Sequence, residues 1–300
     1  MNEQIGNVIL NYEFYDDTIT YSDGPIEDEL LAIVKENEVE KVLKQDSRWP
    51  ILYHLSPARE NLLEWLPIEK NANVLEIGAG CGALTGLMCK KANKVVAVEL
   101  SKKRAQINAY RNKNQANLEL VVGNLNDIRF KEKFDYITLI GVLEYAARFT
   151  KHDNPYEFFL KQIKELLKPN GKLIIAIENR LGLKYWAGAR EDHTNELFDS
   201  LHNYPEDKKV RTFSKRELTD LISVAGFTEN TFYYPYPDYK LPVYIYSDAC
   251  KPDPGIYFEH TPNYDSERLV LFNEKKVFEG LVSSGLAEDF SNSFLVICRN

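Results

Sequence analysis

Apolar positions along this chain fall into two alternating rhythms. Short apolar runs at Asn73–Ile77, Lys94–Glu99, Leu118–Val122, Phe134–Ile140 and Lys172–Ile177 have the length and β-branched content of buried strands. Between them, apolar residues recur at helical spacing, as with Leu84, Leu87 and Met88, or Phe158, Phe159, Ile163, Leu166 and Leu167. Strands that alternate with helices predict a doubly wound α/β sheet.

Punctuation residues sharpen the limits. Ser56 and Pro57 open a helix that turns Leu62, Leu63 and Leu66 inward, Ser101 caps another, and Asn154-Pro155 begins one that Lys168-Pro169-Asn170-Gly171 closes. Ser214 and Glu217 form a capping box ahead of Leu218, Leu221, Ile222 and Ala225, with Gly226 at the exit. Phe227–Tyr234 reads as a sixth strand and Ser293–Cys298 as a seventh. Residues 1–49 stand outside this pattern as an N-terminal extension, with a short strand at Val8–Tyr12 and a helix-like stretch from Ile26 to Lys44. Residues 50–300 form the main domain. Within it, 235–292 is an insertion rich in aromatics (Tyr236, Tyr239, Tyr244, Tyr246, Tyr257, Phe258, with His260), followed by a helix-like piece from Ser266 to Gly280.

Composition changes this picture mainly by exclusion. With 300 residues, 44% hydrophobic positions and a net charge of −8, the chain has the size of an enzyme and repels nucleic-acid backbones. No apolar run approaches the ~20 residues of a membrane span, and Met1-Asn2-Glu3-Gln4 is no start for a signal peptide, so a cytoplasmic protein without membrane insertion is expected. Cys81, Cys89, Cys250 and Cys298 make neither a metal pair nor a disulfide framework. They are expected to be reduced thiols, and no metal cluster is expected.

The candidate chemistry begins at Gly78-Ala79-Gly80-Cys81-Gly82, a turn between the first strand and a helix. Glycines there permit unusual backbone angles and let a ligand lie against the main chain, which points to an adenosine-bearing cofactor. Gly78-x-Gly80-x-x-Ala83 also satisfies a loose dinucleotide fingerprint. Glu76 separates the two: a carboxylate there repels a pyrophosphate but holds an amino-acid ammonium group. Glu99, at the end of the second strand, is placed to accept both ribose hydroxyls.

The pattern Glu76-x-Gly78-x-Gly80-x-Gly82, with Glu99 and the Leu167-Lys168-Pro169-x-Gly171-x-Leu173 turn, resembles the class I S-adenosyl-L-methionine-dependent methyltransferases over roughly Ser56 to Tyr234 and the last strand. The resemblance implies a mostly parallel, seven-stranded Rossmann-like sheet whose last strand is antiparallel. It implies a cofactor site built from Glu76, Gly78, Ala79, Gly80, Gly82, Glu99 and Leu100, with Asn124 and Leu125 at the adenine and Gly141 near the methionine part. Tyr53, Ser56 and Arg59, ahead of the first strand, are candidates to fold over it. The Glu178–Gly182 stretch and the Leu241-Pro242 region are similar to bacterial methyltransferases associated with glycosyltransferases and surface polysaccharide synthesis, which makes a glycosyltransferase a candidate partner.

The acceptor side is expected after Ile177, because ligands bind beyond the carboxyl ends of strands in open α/β sheets. His193 beside Asp192 is the candidate base for a hydroxyl, while Asn179, Arg180 and Tyr185 are candidates to position the acceptor, joined by Glu144, Tyr145 and Tyr239. Gly141–Tyr145 lacks the Asp/Asn-Pro-Pro-Tyr/Phe signature of base-modifying amino methyltransferases, so a small-molecule or carbohydrate hydroxyl is favoured over a nucleobase. An NAD-dependent oxidoreductase and a non-catalytic partner subunit are the competing classes.

Overall fold

The apolar runs fold as strands because each is buried along most of its length. The computed structural model describes residues 2–18, 21–206, 209–252, 261 and 267–299, and the chain divides into two compact units. The first comprises Met1–Leu139 and Leu166–Lys172, the second Ile140–Glu165 and Leu173–Asn300.

In the first unit lie β1 (Asn2–Ile5), β2 (Val8–Asn11), β3 (Asn73–Ile77), β4 (Lys94–Glu99), β5 (Leu118–Val122) and β6 (Phe134–Ile140, to Leu139). Their order is β1-β2-β5-β4-β3-β6, parallel at every pairing except the β1/β2 hairpin. From β3 the chain winds outward through β4 and β5, then returns to the other side of β3 with β6. That reversal is the topological switch point where open α/β sheets bind ligands, and it sits beside the glycine turn. Val74, Leu75, Val95, Ala97, Leu120 and Ile137 are fully buried here.

In the second unit, β7 (Leu167–Glu178, from Leu173), β10 (Ser293–Arg299), β8 (Glu229–Tyr236) and β9 (Tyr244–Ser247) pair in that order, all antiparallel. Ser293 lies opposite Glu178 and Cys298 opposite Leu173, so the last strand runs against β7 as expected. The fold is therefore the expected mixed α/β type.

Ten strands are present among the described residues where seven were expected. The extra ones are β1 and β2 from the N-terminal segment and β9 from the insertion. β2 continues the parallel sheet on β5, pairing Ile9 with Glu119. Two tight approaches hold this segment: a Cβ on Gly6 would come within 2.3 Å of the Lys113 carbonyl oxygen, and one on Gly123 equally close to that of Phe14.

Helix limits differ in instructive ways. The expected Ile26–Lys44 helix breaks into Ile26–Lys35 and Val39–Leu43 at Asn37, whose φ of 59° lies in the left-handed region. The segment after Ser56 is a 3-10 helix, Pro57–Leu62, with Ser56 capping it through Ala58 N and with Leu62, Leu63 and Leu66 buried. The capping box forms as read: Ser214 Oγ accepts from Glu217 N at 3.3 Å and Glu217 Oε2 from Ser214 N at 2.8 Å. β7 already begins at Leu167, inside the segment read as a closing turn, and β8 runs on to Tyr236, past the expected start of the insertion. The late helix starts at Glu274, capped by Asn273, later than the sequence suggested. Tyr257, Phe258, His260 and Ser266 lie outside the described residues. Among the described residues, no helix is long and apolar enough to cross a membrane.

Candidate functional site

The glycine turn leaves β3 with Gly78, Gly80 and Gly82 at φ of 70°, 53° and 79°. Their reasons differ. A Cβ on Gly80 would meet open space, so that glycine serves conformation and access, whereas one on Gly82 would come within 2.5 Å of Asn108 Oδ1. Gly82 therefore lets the helix Lys102–Arg111 pack against the turn. Ala79 is buried, and its amide, like that of Gly78, donates to the Val98 carbonyl at the end of β4.

Glu76 and Glu99 are 5% and 4% exposed. Glu99 Oε2 accepts from the Gly80 amide at 2.7 Å and Oε1 from Ser101 N at 2.8 Å. Burial raises its pKa, opposed by Arg104 and these two amides. Glu76 is different: its Oε2 is buried with no hydrogen-bond partner, and burial first of all pushes its pKa up to about 7. An orphaned carboxylate oxygen beside a glycine cradle fits an ammonium-bearing nucleoside, which is what S-adenosyl-L-methionine presents.

The remaining candidates of this unit are placed as follows. Leu100 is half-buried after Glu99. Asn124 Oδ1 accepts from Asn126 N at 3.1 Å, capping the short 3-10 turn Leu125–Asp127, so this residue shapes the loop after β5. The Arg59 guanidinium lies over the Tyr53 ring, 4.5 Å from its centroid. Next to it, His54 Nε2 lies 3.0 Å from Asp23 Oδ2, and Arg104 bridges Asp23 and Glu27, which anchors the N-terminal segment under this corner.

The second unit brings together a set of groups that no single stretch of sequence contains. His193 Nδ1 is 3.0 Å from Glu191 Oε1, while Nε2 faces Glu144 Oε1 at 3.6 Å and Glu178 Oε2 at 3.9 Å. Glu144, Glu178 and Glu191 are 1%, 0% and 2% exposed. Lys240 Nζ lies 2.5 Å from Glu178 Oε1 and 2.7 Å from Asp192 Oδ1, and Lys184 Nζ 2.8 Å from Asp192 Oδ2. Burial disfavours a charged His193, but the carboxylates outweigh it and hold its pKa well above the usual histidine value. Burial raises Glu144. Tyr145 meets the imidazole edge to face at 5.4 Å. Tyr239 is buried, and a Cβ on Gly141, whose φ is 69°, would lie 2.7 Å from its Oη.

Three expectations take a different form here. Asn179 is fully buried, donates to the Asp289 and Ser291 carbonyls at 2.8 and 2.7 Å and accepts from Leu181 N, so its carboxamide clamps the chain before β10. Arg180 binds Glu217 of the capping box at 2.7 Å. Tyr185 Oη donates to Asp192 Oδ2 at 2.5 Å. Asp192 thus serves Lys184, Lys240 and Tyr185, and Glu191 is the acid that touches His193. Glu191 and Lys240 join this group without a mark in the sequence, whereas Glu178 opens the Glu178–Gly182 stretch and ends an apolar strand with a charge. The expectation of no metal cluster also changes, because Glu144, Glu178 and His193 bring one donor atom each within 4.8 Å of one another.

A parallel sheet with a switch-point glycine turn and two buried acids defines an adenosine-cofactor protein of α/β type. Residues 52–230 match the methyltransferase domain family, and the chain belongs to it; the cofactor of this class is S-adenosyl-L-methionine. The chain is 29% identical over 166 residues to the ubiquinone biosynthesis O-methyltransferase of Pelagibacter ubique, across 49% of this chain and 66% of that one. It is 29% identical over 133 residues to the mitochondrial ubiquinone biosynthesis O-methyltransferase of Dictyostelium discoideum, across 40% and 39% of the two chains. The chain spans less than two thirds of either relative. The solved phosphoethanolamine N-methyltransferase 1 of Haemonchus contortus, with phosphoethanolamine and S-adenosylhomocysteine, superposes with a TM-score of 0.50 and 13% identity over 93% of this chain and 51% of that one, a likeness of fold.

Proposed function

We propose that the protein transfers a methyl group from S-adenosyl-L-methionine to a hydroxyl of a small molecule. The observation that carries this reading is the buried Glu76 oxygen that meets no donor. An α-ammonium group supplies one, whereas the pyrophosphate of NAD would bring like charge to the same place. Glu99 keeps lone pairs beyond those used by Gly80 and Ser101 and offers them to the ribose. Gly78, Ala79, Gly80 and Gly82 give main-chain access, Leu100, Asn124 and Leu125 frame the adenine, and Tyr53, Ser56 and Arg59 cover the corner.

When bound, the cofactor supplies a methyl group already activated by a positively charged sulfur. The work left to the chain is to orient an oxygen, exclude water and take its proton. Glu144, Tyr145, His193 and Tyr239 form the acceptor-facing set of the second unit, with Gly141 keeping space beside the Tyr239 hydroxyl. The proton passes to the Glu144 carboxylate, whose affinity for it burial raises, while the protonated His193 imidazole beside it steadies the pair. Oxygen as the target atom is supported by the two O-methyltransferase relatives. A sugar hydroxyl is the second acceptor class, favoured by Tyr244, which is 39% exposed and stacked on Tyr246.

The test is release of S-adenosylhomocysteine with isotopically labelled methyl donor and panels of phenols, catechols, sugars and amines. Methyl ethers among the products support the reading. Transfer to amines alone, or none above the blank with any acceptor, sinks it.

A further inference from the structure

We propose that Glu144, Glu178 and His193 form a binding site for a divalent first-row metal ion. Their donor atoms lie within 4.8 Å of one another, and all three side chains are deeply buried. Glu191 fixes the imidazole: its carboxylate takes Nδ1–H at 3.0 Å and also the amides of His193 and Thr194, at 2.7 Å each. That leaves Nε2 as the nitrogen facing the acids. A histidine whose far nitrogen is held by a carboxylate is the usual support of a metal-bound imidazole.

Each acid also carries an oxygen without a partner. Glu144 Oε2 and Glu178 Oε2 are buried without a hydrogen bond. A proton on His193 Nε2 does not cure this: it lies 3.9 Å from Glu178 Oε2, beyond hydrogen-bond reach, and on Glu144 it faces Oε1 rather than the unpaired Oε2. An ion about 2.1 Å from each donor gives Glu178 Oε2 its partner; tetrahedral ligation sets donor separations at roughly 3.4 Å, against 3.6 and 3.9 Å from Nε2 and no more than 4.8 Å across the set. Lys240 does not occupy the place, for it binds the other Glu178 oxygen, Oε1, and divides itself with Asp192. The charge balance agrees: among the described residues, Glu144, Glu178, Glu191, Asp192 and Asp238 are gathered around Lys184, Lys240 and the imidazole.

One nitrogen and two carboxylates suit Zn2+ or Mn2+ and leave coordination positions open. An acceptor hydroxyl bound there would lose its proton more readily; this consequence rests on the methyltransferase reading, whereas the metal site does not.

The experiment is titration of metal-stripped protein with Mn2+, read by electron paramagnetic resonance, and with Co2+, read by visible absorption, alongside S-adenosyl-L-methionine binding by calorimetry. One ion per chain is expected, with at least about tenfold weaker binding in Glu178→Gln and in His193→Ala and cofactor affinity unchanged in both. The Co2+ spectrum should change on His193→Ala. Absence of stoichiometric binding in the wild-type protein, or wild-type binding in a Glu178→Gln/His193→Ala double variant, overturns the site. Failure of cofactor binding in the wild-type protein, with or without metal, would instead strike the functional reading.

Discussion

The Gly80 amide donates to Glu99 Oε2 at 2.7 Å, so the acid that ends β4 is tied to the turn that leaves β3. One carboxylate thereby shapes the loop and offers its remaining lone pairs outward. Glu99→Ala removes both functions. Loss of a charge-assisted hydrogen bond of about 1.5–3 kcal/mol predicts about 10- to 100-fold weaker S-adenosyl-L-methionine binding. Calorimetry checks this, and wild-type affinity in the variant would deny Glu99 its place.

The glycines of the turn predict a dissociation between stability and binding. Gly82→Ala forces a Cβ to within 2.5 Å of Asn108 Oδ1 at a φ of 79° and should cost about 1–3 kcal/mol of stability. Gly80→Ala meets no neighbour, pays only its backbone strain, and should lose cofactor affinity more than melting temperature. Equal melting temperatures for the two variants would contradict the packing argument.

Glu76 predicts a pH dependence with a definite sign. Its pKa is raised from 4.5 to about 7 by burial, with the Glu99 charge adding and Thr85 opposing. The folded protein then binds more protons than the unfolded one, so this group's contribution is fully present below pH 4.5. It is lost as pH rises towards 7, by about 1.4 kcal/mol per unit. Cofactor binding runs the other way, because only the ionised carboxylate pairs with an ammonium group. Affinity should strengthen up to about pH 7 and then level off, with Glu76→Gln weaker and flat. Parallel pH profiles for the two proteins would refute the assignment.

Asn179 predicts a structural phenotype. Asn179→Ala orphans the Asp289 and Ser291 carbonyls at about 1–3 kcal/mol each, so unfolding in urea should shift to lower concentration. The KM for an acceptor should stay near wild type. A large rise in KM with unchanged stability would restore the acceptor-positioning role first expected for it.

The legibility of the chain followed the range of the forces involved. β3 to β6 and the glycine turn were readable because burial makes a strand uniformly apolar and a tight turn demands glycine, both local effects. Glu76 was readable because an acid is costly inside an apolar strand. The β1/β2 hairpin was half visible, since four-residue strands carry little pattern and their place beside β5 depends on Gly6 and Gly123 admitting close backbones. The cluster around His193 was least visible. Glu144, Glu178 and His193 lie on separate segments that only the folded second unit joins, so no ligand spacing marks them. Asp192, the neighbour of His193 in sequence, turns towards Lys184 and Lys240, and Glu191 is the acid 3.0 Å from the imidazole Nδ1.

Above all, the Glu76–Glu99 corner is expected to hold S-adenosyl-L-methionine. Calorimetric titration of the wild-type protein and Glu76→Ala with S-adenosyl-L-methionine, and of the wild type with NAD, tests it most directly. Saturable binding of one S-adenosyl-L-methionine per chain is expected, at least about thirtyfold weaker in Glu76→Ala because one partner of a buried charge pair is removed, with no heat from NAD. Tight NAD binding without a response to S-adenosyl-L-methionine, or an unchanged affinity in Glu76→Ala, would contradict it.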